Sequence, residues 1–257
     1  MKISKIEFTS VKVPFVPLMD VLNRGENALA SVPKVIIKVH TDEGLIGLGE
    51  TARGVSPEQV GRFAAFLVGK DPFELNLQSL GFPQDMNFVF EHALYDIVGK
   101  ALGLPVYKLL GGAYRHDIPV SAWSPYHGEG NPQKTAVIAK HAAEKGFTVI
   151  KLKARPWDIV ETVEAIENAI GPGMGIVCDP NTAFRLPSVA VDLARKLEKR
   201  SIACFEDPIP KWNMDSYIML RKKIDIPIAL HVSGTDVIKA VKEETCDFIN
   251  TGGTMHE

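Results

Sequence analysis

The sequence predicts an α/β fold, in which an α+β domain over residues 1–117 is followed by parallel βα units over residues 118–257. Two observations support this division. In the first part, strand-like stretches come before helix-like stretches, which is typical of a separate α+β domain. In the second part, short apolar strands alternate with helical stretches at a repeat of ~25–30 residues, which is the length of a βα unit.

The first part begins with three strand candidates. Met1–Val13 alternates between apolar and polar residues, and Val35–His40 is a β-branched apolar run. Turn-forming residues at Thr41–Gly44 connect that run to Leu45–Glu50. This order predicts a small antiparallel meander.

Two helices are expected after the meander. Ser56 is a candidate N-cap, and Pro57 stands at the first helical position of Pro57–Val68. Apolar residues recur at helical spacing over Phe88–Leu102, and Gly103 is expected to end that helix.

Six strands and five helices are predicted in the second part. The strands are Ile118–Trp123, Thr148–Lys153, Gly175–Asp179, Ala203–Asp207, Ile226–His231 and Asp247–Asn250. The helices between them are Lys134–Lys145, Ile159–Ile170, Pro187–Lys199, Asp215–Lys223 and Thr235–Glu243. Such strands form parallel sheets, either open and doubly wound or closed as part of an eight-stranded barrel. No glycine-rich phosphate-binding fingerprint follows any strand, which argues against a dinucleotide-binding fold.

The composition excludes several classes of protein. The chain has 257 residues with 29 basic and 31 acidic side chains, so neither nucleic acid nor an anionic membrane is an expected partner. The longest apolar run, Phe63–Val68, is far shorter than the ~20 residues of a membrane-spanning helix. The N-terminus lacks the apolar core of a signal peptide. The three widely spaced cysteines, Cys178, Cys204 and Cys246, indicate reduced thiols, and we expect a cytoplasmic protein.

Polar side chains end the predicted strands of the second part. Lys151 and Lys153 end one strand, and their spacing places them on the same face of it. The following strands end in Asp179 with Asn181 close behind, in Glu206 and Asp207, and in His231. Because the carboxyl ends of parallel strands meet at one rim, we expect these side chains to lie together where α/β proteins carry their sites.

This combination of residues predicts a particular chemistry. Asp179 and Glu206, on adjacent strands, can bind one hard divalent cation through oxygen. Such a cation can bind a substrate carboxylate and stabilise the enediolate formed from it. Lys153, close to the cation and to Lys151, is expected to have a lowered pKa and to act as a general base. Each acid taken alone also fits a loop or helix-cap residue, and the lysines alone fit a solvated edge, so the hypothesis depends on their joint occurrence.

These residues resemble the enolase superfamily, and within it the mandelate racemase/muconate lactonizing enzyme group. The motifs that carry the resemblance are K-x-K at Lys151–Lys153, D-x-N at Asp179–Asn181 and E-D-P at Glu206–Pro208. The first part resembles the capping domain of that group, including Thr41–Glu50 and Glu91–Gly112. The resemblance implies a capping domain over residues 1–117 and a (β/α) TIM-type barrel domain over residues 118–257.

The resemblance also implies roles for individual residues. Lys153 would remove the proton α to a carboxylate, and Lys151 would lower the pKa of Lys153 or contact the substrate carboxylate. Asp179 and Glu206 would be metal ligands, with Asn181 and Asp207 as supporting groups. The loop Val13–Gly25 resembles a mobile loop that closes over the substrate, and Glu50–Gly54 resembles the second capping loop. The substrate-loop residues implied are Pro14, Phe15, Val16, Pro17 and Glu50.

The third metal ligand departs from the pattern of the group. An Asp or Glu is expected at the end of the fifth barrel strand, where this sequence has Ala229–Ser233 with His231 in the middle. Either His231 completes the metal site, or the metal has only two protein carboxylates. An imidazole ligand weakens selectivity for Mg²⁺ and favours Mn²⁺ or another transition metal.

The C-terminal part of the barrel is the second departure. Cys246–Gly253 resembles the sixth strand and the glycine pair after it, so the resemblance implies an incomplete barrel of about six of eight strands. Asp247 matches a supporting acid that several subgroups pair with a histidine on the seventh strand, and that histidine is absent from this sequence. Three explanations fit an incomplete barrel: a fragment of a longer protein, a natural truncation that survives by oligomerising, or a frameshift or gene-annotation error.

The predicted function is a divalent-metal-dependent enzyme that abstracts the proton α to a carboxylate. It would be a lyase of the acid-sugar dehydratase type, or an isomerase that racemises or epimerises its substrate. Mg²⁺ is the expected cofactor, with Mn²⁺ as an alternative, and the expected partners are a small-molecule carboxylate and further copies of the chain. The alternative is a truncated, catalytically impaired member that acts only as a folded or self-associating remnant. An aldolase-type barrel with a Schiff base on Lys151 or Lys153 is disfavoured by the paired carboxylates.

Overall fold

The computed structural model describes residues 1–16, 31–125, 131–212 and 214–252, without the side chain of Asp85. The chain divides into two compact units, with Met1–Asp117 in the first and Ile118–Thr251 forming the second. In the described ranges no helix combines the length and the apolar character needed to cross a membrane.

The first unit contains the predicted antiparallel meander. Its strands are β1 (Ile3–Pro14), β2 (Ser31–Thr41) and β3 (Ile46–Glu50), hydrogen-bonded in the order β1-β2-β3. The turn between β2 and β3 closes with a hydrogen bond from the Gly44 amide to the Thr41 carbonyl, and Gly44 has a φ of 84°. Glycine adopts this left-handed conformation without the steric cost that a Cβ would add.

The helices of the first unit pack on the meander. They are α1 (Pro57–Leu67), a 3₁₀ turn (Pro72–Glu74), α2 (Gln84–Leu102) and a short α3 (Val106–Leu109). At the start of α1, the Ser56 hydroxyl accepts from the Gln59 amide and the Gln59 side chain accepts from the Ser56 amide, which is a capping box. A Cβ on Gly47 would lie 2.0 Å from the Ala93 carbonyl oxygen, so α2 approaches β3 closely.

One boundary in the first unit differs from the sequence prediction. The helix α2 begins at Gln84, four residues before the predicted Phe88, and the buried Met86 in its first turn already belongs to its apolar face. In the first turn the Pro83 carbonyl accepts from the Met86 and Asn87 amides, and the Asn87 side-chain oxygen accepts from the Leu80 amide at 2.7 Å, which ties the preceding loop to the helix. At the other end, Gly103 has a φ of 64° and ends the helix as predicted.

The second unit is a parallel sheet of six strands, with helices in the connections. Its strands are β4 (Ala122–Ser124), β5 (Val149–Lys153), β6 (Gly175–Asp179), β7 (Ile202–Glu206), β8 (Ile228–His231) and β9 (Phe248–Asn250). Its helices are α4 (Pro132–Glu144), α5 (Ile159–Ile170), α6 (Pro187–Leu197), α7 (Met214–Arg221) and α8 (Thr235–Lys242). The strands follow one another in sequence order, from β4 to β9. This order is that of a (β/α) barrel, since a doubly wound sheet reverses its strand order at a switch point.

The first strand of this sheet is shorter than predicted. Ile118–Trp123 was expected, but only Ala122–Ser124 is a strand, and Ile118 and Val120 are exposed. Ala122 pairs with Ile150, the second residue of β5, so the residues before Ala122 have almost no length of β5 to pair with. The apolar character of Ile118–Trp123 therefore does not make a strand by itself.

Candidate active site

The predicted lysines and carboxylates meet at the carboxyl end of the sheet. Lys153 pairs with Asp179 between β5 and β6, and the pairing of Cys178 with Phe205 brings Asp179 beside Glu206. The Lys151 Nζ donates to both carboxylate oxygens of Glu206 at 2.7 Å and lies 3.1 Å from Asp179 Oδ2. The Lys153 Nζ donates to the same Asp179 oxygen at 2.6 Å. Two amines and two carboxylates therefore form one connected cluster.

Burial makes the charges of this cluster depend on one another. Asp179 is 1% exposed and Glu206 is 5% exposed. Burial alone would raise the pKa of Asp179, but hydrogen bonds from Lys153 and Lys151 outweigh it and lower that pKa. Burial likewise opposes the charge of Lys151, but hydrogen bonds to Glu206 and Asp179 raise its pKa overall. Asp179 is therefore ionised and Lys151 protonated at neutral pH.

Two of the three predicted supporting residues are Asn181 and Asp207, which follow Asp179 by two residues and Glu206 by one residue. The Asn181 amide nitrogen donates to Asp179 Oδ1 at 2.9 Å. Asp207 is buried, and its Oδ1 accepts from the His231 amide at 2.9 Å while its Oδ2 accepts from Lys211 Nζ at 3.2 Å. Asn181 and Asp207 both have a positive φ, near 48° and 46°, so the chain turns sharply after β6 and β7. Asn181 thus orients a carboxylate, and Asp207 fastens the end of β7 to the end of β8.

The structure does not bring the imidazole of His231 into a metal-binding group. Among the residues described, no three or more His, Cys, Asp and Glu side chains are placed to hold a metal ion together. The register explains this, because Glu206 pairs with Ala229 and His231 lies two residues, about 6.6 Å, further along β8. His231 is exposed, its backbone amide donates to Asp207, and its backbone carbonyl accepts from Lys211.

Asp247 lies at the opposite end of the sheet, which corrects its prediction as a supporting residue of the site. It precedes the first residue of β9, and its Oδ2 accepts from the amide of Ile228, the first residue of β8, at 2.8 Å. Its other oxygen accepts from the Arg221 guanidinium at 2.6 Å. Since parallel strands begin at one edge and end at the other, Asp247 connects the amino ends of two strands.

The predicted substrate-loop residues are only partly described. They are Pro14, Phe15, Val16, Pro17 and Glu50. Pro14 ends β1, Phe15 and Val16 follow it without regular secondary structure, and Pro17 lies outside the described residues. Glu50 ends β3, where its carboxylate accepts from Lys34 Nζ at 2.9 Å. Their contact with substrate stays a prediction.

Two residues of this region were missed from the sequence. The Asn250 side-chain amide donates to Glu206 Oε1 at 2.9 Å, although two strand spacings separate β9 from β7. The residue paired with Glu206 on the intervening strand is Ala229, whose side chain is a single methyl group. Lys211 is the second missed residue, because its ammonium joins Asp207 to the His231 carbonyl. The position of Asn250 could have been recognised from the sequence, because it ends its strand as Asp179 and Glu206 end theirs.

The donor set fits a hard divalent cation. Asp179 and Glu206 present carboxylate oxygens from neighbouring strands, and Mg²⁺ binds through one or two carboxylates while it keeps waters or substrate oxygens as its other ligands. The cluster carries two such carboxylates without His231. Asp179 and Glu206 are therefore the residues that would hold such a cation.

Comparison with known proteins gives matches over both units. Residues 23–111 match the model of the mandelate racemase/muconate lactonizing enzyme N-terminal domain, and residues 134–252 match that of the enolase C-terminal domain-like family. The dipeptide epimerase from Enterococcus faecalis V583, solved in complex with Mg and L-Leu-L-Tyr, has the same fold. Its TM-score is 0.82 at 23% identity, over 100% of this chain and 77% of that one.

Two curated relatives represent different activities. The N-succinyl-L-Arg/Lys racemase of Bacillus cereus is 25% identical over an alignment of 276 positions, which covers 97% of this chain and 72% of the racemase. The D-galactonate dehydratase of Pectobacterium atrosepticum is 31% identical over 222 residues, and the match spans 76% of this chain and 57% of the dehydratase. The chain therefore belongs to the mandelate racemase/muconate lactonizing enzyme group of the enolase superfamily.

Proposed function

We propose that this protein is a divalent-metal-dependent enzyme that abstracts the proton α to a carboxylate, as a racemase or epimerase or as a sugar-acid dehydratase. The observation that carries the proposal is the cluster of two lysines and two buried carboxylates at the carboxyl end of the sheet. Relatives with racemase and dehydratase activities support both outcomes. The proposal includes a capping domain over residues 1–117 and a barrel domain over residues 118–257.

The contacts of the two amines favour different roles for them. Lys151 is held by three close oxygen contacts from two carboxylates, so it stays a fixed positive charge. Lys153 contacts one carboxylate oxygen and stands two residues nearer the open end of β5. Lys153 is therefore the amine that can turn towards a substrate, and in its neutral form its Nζ would take the α-proton.

Asp179 and Glu206 would hold the cation, Mg²⁺ or Mn²⁺. When bound, the cation would supply positive charge beside the substrate carboxylate. The Asn181 amide and the Asn250 side chain each bind one carboxylate oxygen, which fixes the directions of both carboxylates before the cation arrives. In the structure the same carboxylates bind Lys151 and Lys153. These amines therefore have to release carboxylate oxygens before a cation can bind them.

The proposal is tested by exchange of the α-proton in D₂O with Mg²⁺ or Mn²⁺. Suitable substrates are N-acyl amino acids, dipeptides and sugar acids, and the exchange is followed by proton NMR. We expect Lys153→Ala to lose about 10²–10⁴-fold in exchange rate, which is the usual contribution of a general base. Lys196→Ala is the matched control, because Lys196 forms an exposed ion pair with Asp192 on α6 and should exchange at the wild-type rate.

Two results would overturn the proposal. Undiminished exchange in Lys153→Ala would remove the assigned base. No exchange by the wild type across the whole set of substrates would favour a catalytically impaired remnant that folds or self-associates, which light scattering can measure.

A further inference from the structure

The strand β4 places an aromatic side chain next to the lysines of the candidate active site. Trp123 pairs with Lys151 in the parallel ladder between β4 and β5. Laterally paired residues of neighbouring strands point to the same face of a sheet, and their Cα atoms are about 4.8 Å apart. Ala122 and Ser124, on the other face, are buried. Trp123 therefore shares its face with Lys151 and Lys153.

The indole of Trp123 is not enclosed by the described residues. It is 45% exposed, whereas the carboxylates on the same face are almost completely buried. An aromatic side chain presents a large apolar surface with one polar atom, the indole N–H. Exposed apolar surface beside polar groups is typical of a ligand-binding position.

The residues level with Trp123 on its face of the sheet narrow the chemistry of a ligand there. Lys151 is the direct neighbour of Trp123. Beyond it, β6 and β7 hold Val177 and Cys204, two and three strand spacings from Trp123, and both are poor hydrogen-bonding groups. An acyclic polyhydroxy acid needs a hydrogen-bond partner for each buried hydroxyl group, and an unpaired one costs about 1–3 kcal/mol. An apolar substituent incurs no such cost against an indole.

We propose that Trp123 is a specificity-determining residue that packs against an apolar substituent on the carbon that loses its proton. This inference rests on the proposed function, in which Lys153 takes that proton. Trp123 and Lys153 lie one strand spacing and two residues apart, so a group attached to the reacting carbon can reach the indole. The substrate class is then an α-substituted carboxylate, such as an N-acyl amino acid with an aromatic or branched side chain.

A binding measurement tests the inference without catalysis. The chain contains three tryptophans, and Trp157 and Trp212 are exposed, so Trp157→Phe with Trp212→Phe leaves Trp123 as the single emitter. With Mg²⁺ present, N-acetyl-L-phenylalanine should shift its fluorescence saturably, and D-gluconate should not. Equal responses to the two acids would overturn the inference. A shift that depends on protein concentration without ligand would also overturn it, since a second copy would then cover the indole.

Substitution separates this inference from the proposed function. We expect Trp123→Ala to raise KM for exchange of N-acetyl-L-phenylalanine at least tenfold while KM for L-lactate changes less than twofold, and Trp123→Phe to restore most of the loss. Trp157→Ala is the control, with both KM values unchanged. Exchange that continues with the wild-type preference in Trp123→Ala would overturn the specificity role and leave the proposed function intact. A selective fluorescence shift without any exchange would overturn the proposed function and leave only the binding of an apolar substituent at Trp123.

Discussion

The charge balance of the lysine–carboxylate cluster makes a quantitative prediction for Lys151→Met. Methionine keeps much of the length of the lysine side chain but removes the ammonium that Glu206 and Asp179 share. Removing one partner of a buried ion pair costs about 3–5 kcal/mol, because the remaining charge is left uncompensated. The Lys151 side chain is 24% exposed, so solvent screens part of that effect. We expect the free energy of unfolding to fall by about 2–3 kcal/mol.

The assay is urea unfolding of the wild type and of two variants. Lys196→Met is the matched control, since Lys196 lies 2.8 Å from Asp192 in an exposed i,i+4 pair. The two lysines have similar distances to their partners but differ in burial. Exposed pairs of this kind contribute about 0.3–0.5 kcal/mol, so Lys196→Met should lose no more stability than that. The m value should be the same in all three proteins if only stability changes.

Addition of Mg²⁺ should raise the free energy of unfolding, which is the opposite of the effect of Lys151→Met. A cation that binds the native state stabilises it by RT ln(1 + [L]/Kd). In Lys151→Met the cation no longer competes with that ammonium, so 10 mM Mg²⁺ should raise the stability of this variant more than that of the wild type. Equal stability of Lys151→Met and Lys196→Met, or a larger Mg²⁺ effect on the wild type, would refute the reasoning.

Three further outcomes are expected. Asn250→Ala should lower Mn²⁺ affinity in calorimetric titration by about tenfold, because the Glu206 carboxylate loses the amide that orients it, and an unchanged affinity would contradict this role. Gly47→Ala should destabilise the first unit by about 3 kcal/mol or more in thermal unfolding, because its Cβ would overlap the Ala93 carbonyl, and a wild-type Tm would contradict the close approach of α2 to β3. Cys178 should resist iodoacetamide in the native protein and react after unfolding, because burial raises its pKa and excludes the reagent.

Several parts of the fold could be predicted because their signals are local. The helix α1 begins where Ser56 and Pro57 indicate, since capping depends on residues three or four apart in the chain. The helix α5 and the strand β6 have the predicted bounds, Ile159–Ile170 and Gly175–Asp179. The strand β4 was predicted too long because strand length depends on the partner strand, and β5 offers it only three paired residues.

In the candidate site, too, some features follow from the local sequence and others only from the tertiary structure. Lys151 and Lys153 share a face because strands have a period of two, and that period is a property of any extended chain. The sequence alone therefore determined which residue types end the parallel strands and that they meet at one rim. Only the tertiary structure decided the register between β7, β8 and β9. That register places Ala229 beside Glu206, so that His231 lies beyond the carboxylates and Asn250 contacts Glu206. The sequence could not give this register, because pairing between strands depends on packing across the whole sheet.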